Sequence, residues 1–319
     1  MRAWRVRELG EPAAVLRLED VEPPAPRPGE VAVQVAAAAL NFPDILLCRG
    51  EYQDRPELPF TPGLELSGTV DGKRVLGNPT LGAGALAEHT VAPESALFPV
   101  PDDMPDEAAA ALHITYQTGY LALHTRAGLQ PGETLLVHAG AGGVGSAAVQ
   151  LGKAAGARVV ATAGGPEKVK VLEELGVDLA VDYRSDDFVA AVKDFTGGRG
   201  ADVVYDPVGG DTFDRSTKCV AFEGRILVVG FTSGRIPEAR ANHVLVKNYS
   251  VVGVHWGLYN RMRPDVPRRI HDELCRLWAD RLIDPLVSQV VPFEDAPAAL
   301  VALGSRGTHG KVVVRVGAA

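Results

Sequence analysis

Cysteine is scarce in this 319-residue chain: Cys48, Cys219 and Cys275 are all there is, and they lie far apart. An odd, scattered trio gives neither a disulfide framework nor a Cys-x-x-Cys metal pattern, so three reduced side chains are expected. Long apolar runs are absent too; none approaches the roughly 18 residues that a membrane-spanning helix needs. The opening MRAWRVRELGEP has charges where a signal peptide has its apolar centre, so a cytoplasmic protein is expected. Basic residues are in the minority, 32 Lys and Arg against 40 Asp and Glu, a net charge of −8. That balance argues against nucleic acid or an anionic membrane as the main partner. No Tyr-x-x-x-Lys occurs, which disfavours the short-chain reductase class. With 46% hydrophobic and 23% charged residues, the chain has the make-up of a soluble globular protein with room for about two domains.

The pattern changes along the chain. Residues 1–113 are rich in Pro and Gly, with short apolar runs at Val31–Val35, Leu66–Val70 and Arg74–Leu76. Asp71-Gly72, between the last two, is a tight-hairpin signal, and the whole stretch reads as a β domain. Residues 114–254 alternate strand and helix. The strands are β-branched: Thr134–Val137, Arg158–Ala163, Leu179–Val181, Asp202–Tyr205, Arg225–Val229 and Ser250–Val254. Helical patterns such as Val144–Ala155 and Glu167–Leu175 lie between them. Parallel strands need crossovers, so this alternation implies a doubly wound sheet, and six strands complete a dinucleotide-binding fold. Residues 255–319 hold one helix, Arg268–Ala279, and a last strand, Lys311–Val316. Too short to fold alone, they are expected to rejoin residues 1–113. No internal repeat or low-complexity segment is visible.

Strand Thr134–Val137 runs into His138-Ala139-Gly140-Ala141-Gly142-Gly143-Val144-Gly145 and then a helix. Gly140, Gly142 and Gly145 satisfy G-x-G-x-x-G in its strand–turn–helix context. The first Gly permits the turn, the second lets backbone approach a pyrophosphate, and the third allows close helix–strand packing. NAD-binding versions place an acidic residue about 20 positions further on, to hold the ribose 2′-hydroxyl. Here that window reads Val159-Val160-Ala161-Thr162-Ala163-Gly164-Gly165, without a carboxylate, and Lys168 follows. A missing carboxylate plus a nearby cation favours a 2′-phosphate, hence NADPH.

Asn41-Phe42-Pro43-Asp44, Gly50-Glu51-Tyr52 and Leu58-Pro59-Phe60-Thr61-Pro62-Gly63-Leu64-Glu65 resemble the entry motifs of one family. Thr118-Gly119-Tyr120, the glycine loop, Val203–Gly210 and Gly224–Gly230 resemble its later motifs. The family is the medium-chain dehydrogenase/reductases, in the zinc-independent, quinone oxidoreductase (zeta-crystallin-like) branch, and the resemblance runs over nearly the full length. It implies an α/β fold, a doubly wound parallel six-stranded Rossmann domain at 114–254 plus a GroES-like β-barrel catalytic domain from 1–113 and 255–319. It also implies a homodimer formed through the cofactor domain. Tyr52, Gly142, Gly143, Val144, Gly164, Lys168 and Tyr183 are then implied to contact NADPH, together with Gly145 of the loop. Gly230, Phe231 and Thr232, with Val254, His255 and Trp256, are implied to line its nicotinamide end. The stretch Thr-Val-Asp-Gly-Lys between Gly68 and Arg74 is shorter than the family's usual loop.

The zinc-dependent branch binds its metal with Cys, His and Cys; the matching positions here carry Asn41, Leu64 and Ile114, so no metal is expected. Without a Lewis acid, polarising a simple alcohol or ketone is difficult, and acceptors already electrophilic are favoured: a quinone, or an enone. Asn41 as an amide donor to the developing oxyanion and Tyr52 as proton source are the candidate catalytic residues. Asn41 as a loop cap and Tyr52 as a packing wall stand beside those roles. An enone or enoyl-thioester reductase and a non-catalytic NADPH-binding protein remain the rival readings.

Overall fold

The computed structural model describes residues 1–317. The chain forms two compact units, Thr115–Asp284 and Met1–Ile114 with everything from Pro285 onward; the helix Asp106–Tyr120 carries the chain from one into the other.

Thr115–Asp284 is built on six parallel strands. Their spatial order is Leu179–Asp182, Arg158–Ala163, Thr134–Val137, Ala201–Asp206, Val220–Val228, Ser250–Gly253. Counted along the chain within this sheet, that is 3-2-1-4-5-6, the doubly wound dinucleotide-binding order. Both faces are covered, so the strands are apolar runs rather than alternating ones: Val159, Val160, Val203, Val204, Ile226 and Leu227 are fully buried. On one face Leu136, Val160, Val204 and Ile226 pack with Phe188, Val192 and Phe213. The direction of chain reversal changes between the first and fourth strands, and ligands of such sheets bind beyond the carboxyl ends of strands at that point.

One boundary differs from the expected one. The segment 255–284 belongs with the cofactor-type sheet, not with the β unit. The apolar stripe of helix Asp265–Ala279 buries Val266, Ile270, Leu274, Leu277 and Trp278. Polar ties fix the segment in place: Gln117 Nε2 donates to Pro267 O, and Trp256 Nε1 donates to Gln117 Oε1. At its end Gln150 and the Asp284 backbone exchange two hydrogen bonds, at 2.8 and 2.6 Å.

The β unit centres on a long strand, Glu30–Ala39, paired antiparallel with Leu66–Val70, His89–Pro93 and the last strand, Lys311–Arg315. The chain's end therefore does rejoin its beginning. Leu66–Val70 and Lys73–Gly77 form the expected hairpin, with Asp71 at φ 48° and Gly72 at φ 76°, the two positive values a tight primed turn requires. Val33, Val35, Leu40, Ile45, Phe60, Leu66, Leu86, Val312 and Val314 make its core. Among the described residues no helix is long and apolar enough to cross a membrane. All three thiols are free; burial raises Cys48 to about 12 and Cys219 and Cys275 to about 11.

Candidate functional site

The glycine loop closes onto itself so tightly that side chains are excluded. A Cβ on Gly145 would lie 2.1 Å from the carbonyl oxygen of Ala139, and one on Gly140 would lie 2.9 Å from Ala161 Cβ and from Leu172 Cδ2. The helix Gly143–Ala154 starts at Gly142, a cap without a side chain. Its first-turn N–H groups, those of Gly143, Val144 and Gly145, have no intrahelical partners, as an anion site at a helix start requires. His138 pins the loop's start from within. Ser216 Oγ donates to Thr212 O and accepts from His138 Nε2, and Nδ1 lies 3.1 Å from Thr162 Oγ1. That fixes the neutral ring with its proton on Nε2, and burial lowers its pKa to about 3.

At the carboxyl end of the second strand, Gly164 and Gly165 are overlain by two side chains from the third. A Cβ on Gly164 would lie 2.5 Å from Tyr183 Oη and 3.2 Å from Arg184 Nε; one on Gly165 would lie 3.1 Å from Arg184 Nη1. Asp182 Oδ1 shapes this corner by accepting from the backbone N–H of Gly165 and Arg184, at 2.9 and 3.0 Å, and those bonds lower its pKa. Lys168 follows on helix Pro166–Glu174. Tyr183, Gly164 and Arg184 are therefore together, and Arg184 is a cation that the sequence reading missed. The missing signal was in the sheet register: Asp182 pairs with Ala163, so residues just past Asp182 sit beside those just past Ala163.

Beyond the fourth and fifth strands, two turns pack on each other. Thr232 donates to Pro207 O through both its backbone N–H and its Oγ1, at 3.1 Å each. A Cβ on Gly230 would lie 3.2 Å from Pro207 O, and Gly209, at φ 68°, lies under the Phe231 ring. Asp206 Oδ1 accepts from Val208 and Gly209 N–H and holds the first turn closed; burial raises its pKa. Val254 N–H donates to Val228 O, setting His255 at the head of helix Trp256–Met262. The predicted groups Gly230–Thr232 and Val254–Trp256 thus follow adjacent strands of one sheet.

In the β unit, Asn41 and Asp44 open helix Phe42–Arg49. Asp44 accepts from Asn41 N–H at 2.8 Å and from Gly63 N–H at 3.0 Å, which orders the loop. Asn41, 7% exposed, donates both amide hydrogens internally, to Ala39 O at 3.1 Å and Glu65 Oε1 at 2.9 Å. Its Oδ1 accepts from Lys311 Nζ at 2.7 Å. Lys311 also donates to Leu40 O at 2.9 Å and to Glu65 Oε1 at 2.5 Å, while Glu65 Oε2 accepts from Ile114 N–H at 2.8 Å. A fully buried ion pair thus ties Asn41, Ile114 and the last strand together. Tyr52 lies apart from this cluster, half-buried, and burial followed by the charges of Asp54 and Asp44 raises its phenol pKa. Among the described residues no group of three or more His, Cys, Asp or Glu is placed to hold a metal ion.

Asp44 makes the β unit's stability depend on pH. Burial raises its carboxyl from 3.8 to about 7, against the opposing pull of its two N–H donors and Lys311. The folded form binds the proton more tightly, so this contribution is complete below about pH 4 and is lost as the pH rises through about 7. Asp44→Asn lacks that slope. The thermal midpoint of the parent protein should therefore fall relative to that of Asp44→Asn as the pH rises between these values; parallel curves would refute the assignment.

The fold and the glycine cradle define a dinucleotide-binding oxidoreductase of two-unit build. Residues 27–102 match the family described as alcohol dehydrogenase GroES-like domain, and residues 143–271 that described as zinc-binding dehydrogenase. The quinone oxidoreductase-like protein 2 homolog of Nematostella vectensis is 39% identical, covering 98% of this chain and 88% of that protein. The quinone oxidoreductase of Thermus thermophilus, solved alone and with NADPH, superposes with a TM-score of 0.85 at 35% identity, covering 99% and 100% of the two chains. The CurK enoyl reductase superposes at 0.88 with 28% identity, covering 99% of each. The chain belongs to the medium-chain dehydrogenase/reductase family, in its quinone oxidoreductase branch.

Proposed function

We propose that the protein is an NADPH-dependent, metal-independent reductase of small conjugated acceptors, with quinones as the preferred class. The observation carrying the cofactor half is the corner at Gly164 and Gly165, where Tyr183 and Arg184 overlie the end of a strand with no carboxylate of its own, the neighbouring Asp182 being held by the backbone N–H groups of Gly165 and Arg184. Gly142, Gly143, Val144 and Gly145 hold the pyrophosphate at the helix start. Lys168, Tyr183 and Arg184 hold the 2′-phosphate over Gly164. Gly230, Phe231, Thr232, Val254, His255 and Trp256 hold the nicotinamide end, and Tyr52 contacts the cofactor. Bound NADPH supplies the hydride.

Metal independence rests on the three family ligand positions. Leu64 and Ile114 have no side-chain donor atom, and the amide of Asn41 is engaged by Ala39 O, Glu65 and Lys311. Because both amide hydrogens of Asn41 are spent on Ala39 O and Glu65, its role is to position the loop, while Tyr52 is the proton donor. That phenol is protonated at neutral pH, and burial raises its pKa further. A hydroquinone anion also takes its proton from water.

NADPH oxidation with a panel of quinones, enones and acyl thioesters tests the reading, before and after exhaustive chelation. Turnover of quinones, indifferent to chelation, is the expected result. A preference for acyl thioesters would favour the enoyl-reductase reading, loss of activity restored by zinc would overturn metal independence, and binding without turnover would leave a cofactor-binding protein.

A homodimer and a cytoplasmic setting go with this reading. Strand Ser250–Gly253 is the sheet's edge, and helix Ala241–Lys247 just before it exposes Leu245 and Val246 at 75% and 78%. An open edge beside bare apolar side chains favours pairing with a second copy. The protein should sediment as a dimer at micromolar concentration, and Leu245→Asp with Val246→Asp should yield monomer. A monomeric parent protein would rule the dimer out.

A further inference from the structure

Beside Tyr52 the β unit holds a second feature, a slot of about 220 Å³ walled by Leu9, Leu47, Tyr52, Leu58 and Phe60, with Gly50, Pro56 and Arg55 completing it. We propose that this slot binds an uncharged, ring-sized apolar substituent of the acceptor. The proposal rests on the reading of Tyr52 as proton donor to that acceptor, because a group lodged against the phenol ring lies next to the reacting carbonyl. Three observations carry it. The walls are aliphatic and aromatic, and Leu9 and Leu58 at the mouth are exposed, so the slot is open to a ligand. Its volume is the second: an apolar cavity of about 150 Å³ holds one benzene ring, so this one takes a ring with a short substituent or a prenyl-like branch, and no larger polycycle. The third is charge. Glu51, Asp54 and Glu57 stand exposed on the same loop against the single cation Arg55. That balance repels acidic acceptors, including acyl thioesters carried on phosphate-bearing groups. Gly50 is needed for the shape: a Cβ there would meet Leu9 Cδ1 at 2.6 Å.

The test has two arms. Binding of 2-naphthol, which has no conjugated carbonyl to reduce, is followed by saturation-transfer NMR on the full-length protein and on Leu9→Trp, where the indole fills the mouth. Saturation of the naphthol in the parent protein and its loss in the variant are expected. In the second arm, the ratio of kcat/KM for 1,4-naphthoquinone over 1,4-benzoquinone is expected to fall about tenfold in Leu9→Trp, the scale of burying one ring's worth of apolar surface. Leu58→Glu, which charges the mouth without filling it, should lower the same ratio. If the naphthol does not bind the parent protein, or binds the parent protein and Leu9→Trp alike, the slot is not a site. If it binds as expected while no quinone is turned over, the slot stands and the quinone reading falls.

Discussion

Lys311→Met is expected to destabilise the β unit by about 3–5 kcal/mol, the range for removing one partner of a buried ion pair. Glu65 is 0% exposed and the lysine side chain 4%. All three ammonium hydrogens have acceptors, in Leu40 O, Asn41 Oδ1 and Glu65 Oε1. Methionine fills much of the stem's volume but strands a carboxylate with two neutral donors, Asn41 Nδ2 and Ile114 N–H. At the usual enthalpy of a domain this size, the loss lowers its melting transition by roughly 10 °C or more. Calorimetry on Lys311→Met, Glu65→Gln and the double variant checks it. Taking both charges out together removes the stranded ion, so the double variant should be more stable than the sum of the singles implies, by on the order of 2 kcal/mol. Additive effects, or a single-variant loss below about 1 kcal/mol, would show that the pair is not the tie the geometry implies.

Such a tie was invisible in the sequence. Lys311 and Glu65 are separated by 246 positions, and a lysine opening a strand ordinarily stays in water. Local patterns, by contrast, were legible. Strands Thr134–Val137 and Arg158–Ala163 match their expected bounds because apolar, β-branched runs between Gly and charged residues leave little choice of end. The Asp71-Gly72 hairpin was legible for a similar reason: few other dipeptides tolerate two positive φ values. The helix expected at Arg268–Ala279 is there, starting at Asp265, but was assigned to the wrong unit, since an amphipathic stripe says that a face is buried and not against what. The same limit applied to Asn41. Its motif located it, but only the contacts reveal that its amide has no hydrogen left to offer a substrate. A missing Cβ is a local property, and the space it clears shows directly at Gly145 and Gly164.

Cofactor choice gives the sharpest expected contrast. Lys168→Ala and Arg184→Ala should each weaken NADPH binding by roughly 10-fold or more, since a hydrogen bond to a charged group contributes about 1.5–3 kcal/mol, on the order of 10- to 100-fold in affinity. NADH lacks the 2′-phosphate, so its dissociation constant should barely move. Arg184 belongs in this test because its guanidinium overlies Gly164 and Gly165, at 3.1 to 3.2 Å from where a Cβ would stand on either. Tyr183 shares the corner, so a modest effect of one cation alone is compatible with load-sharing; the double variant should lose more than either single. Ala163→Asp supplies the carboxylate that the second strand lacks. Ala163 is that strand's last residue, register partner of Asp182. A carboxylate there repels the phosphate and accepts from a free 2′-hydroxyl, shifting preference toward NADH by opposing effects on the two cofactors. Calorimetric titration of both cofactors into the parent protein and each variant gives the ratio of dissociation constants directly. If Lys168→Ala and Arg184→Ala weaken both cofactors equally, or the parent protein binds NADH as tightly as NADPH, this corner does not read the phosphate and the NADPH assignment falls.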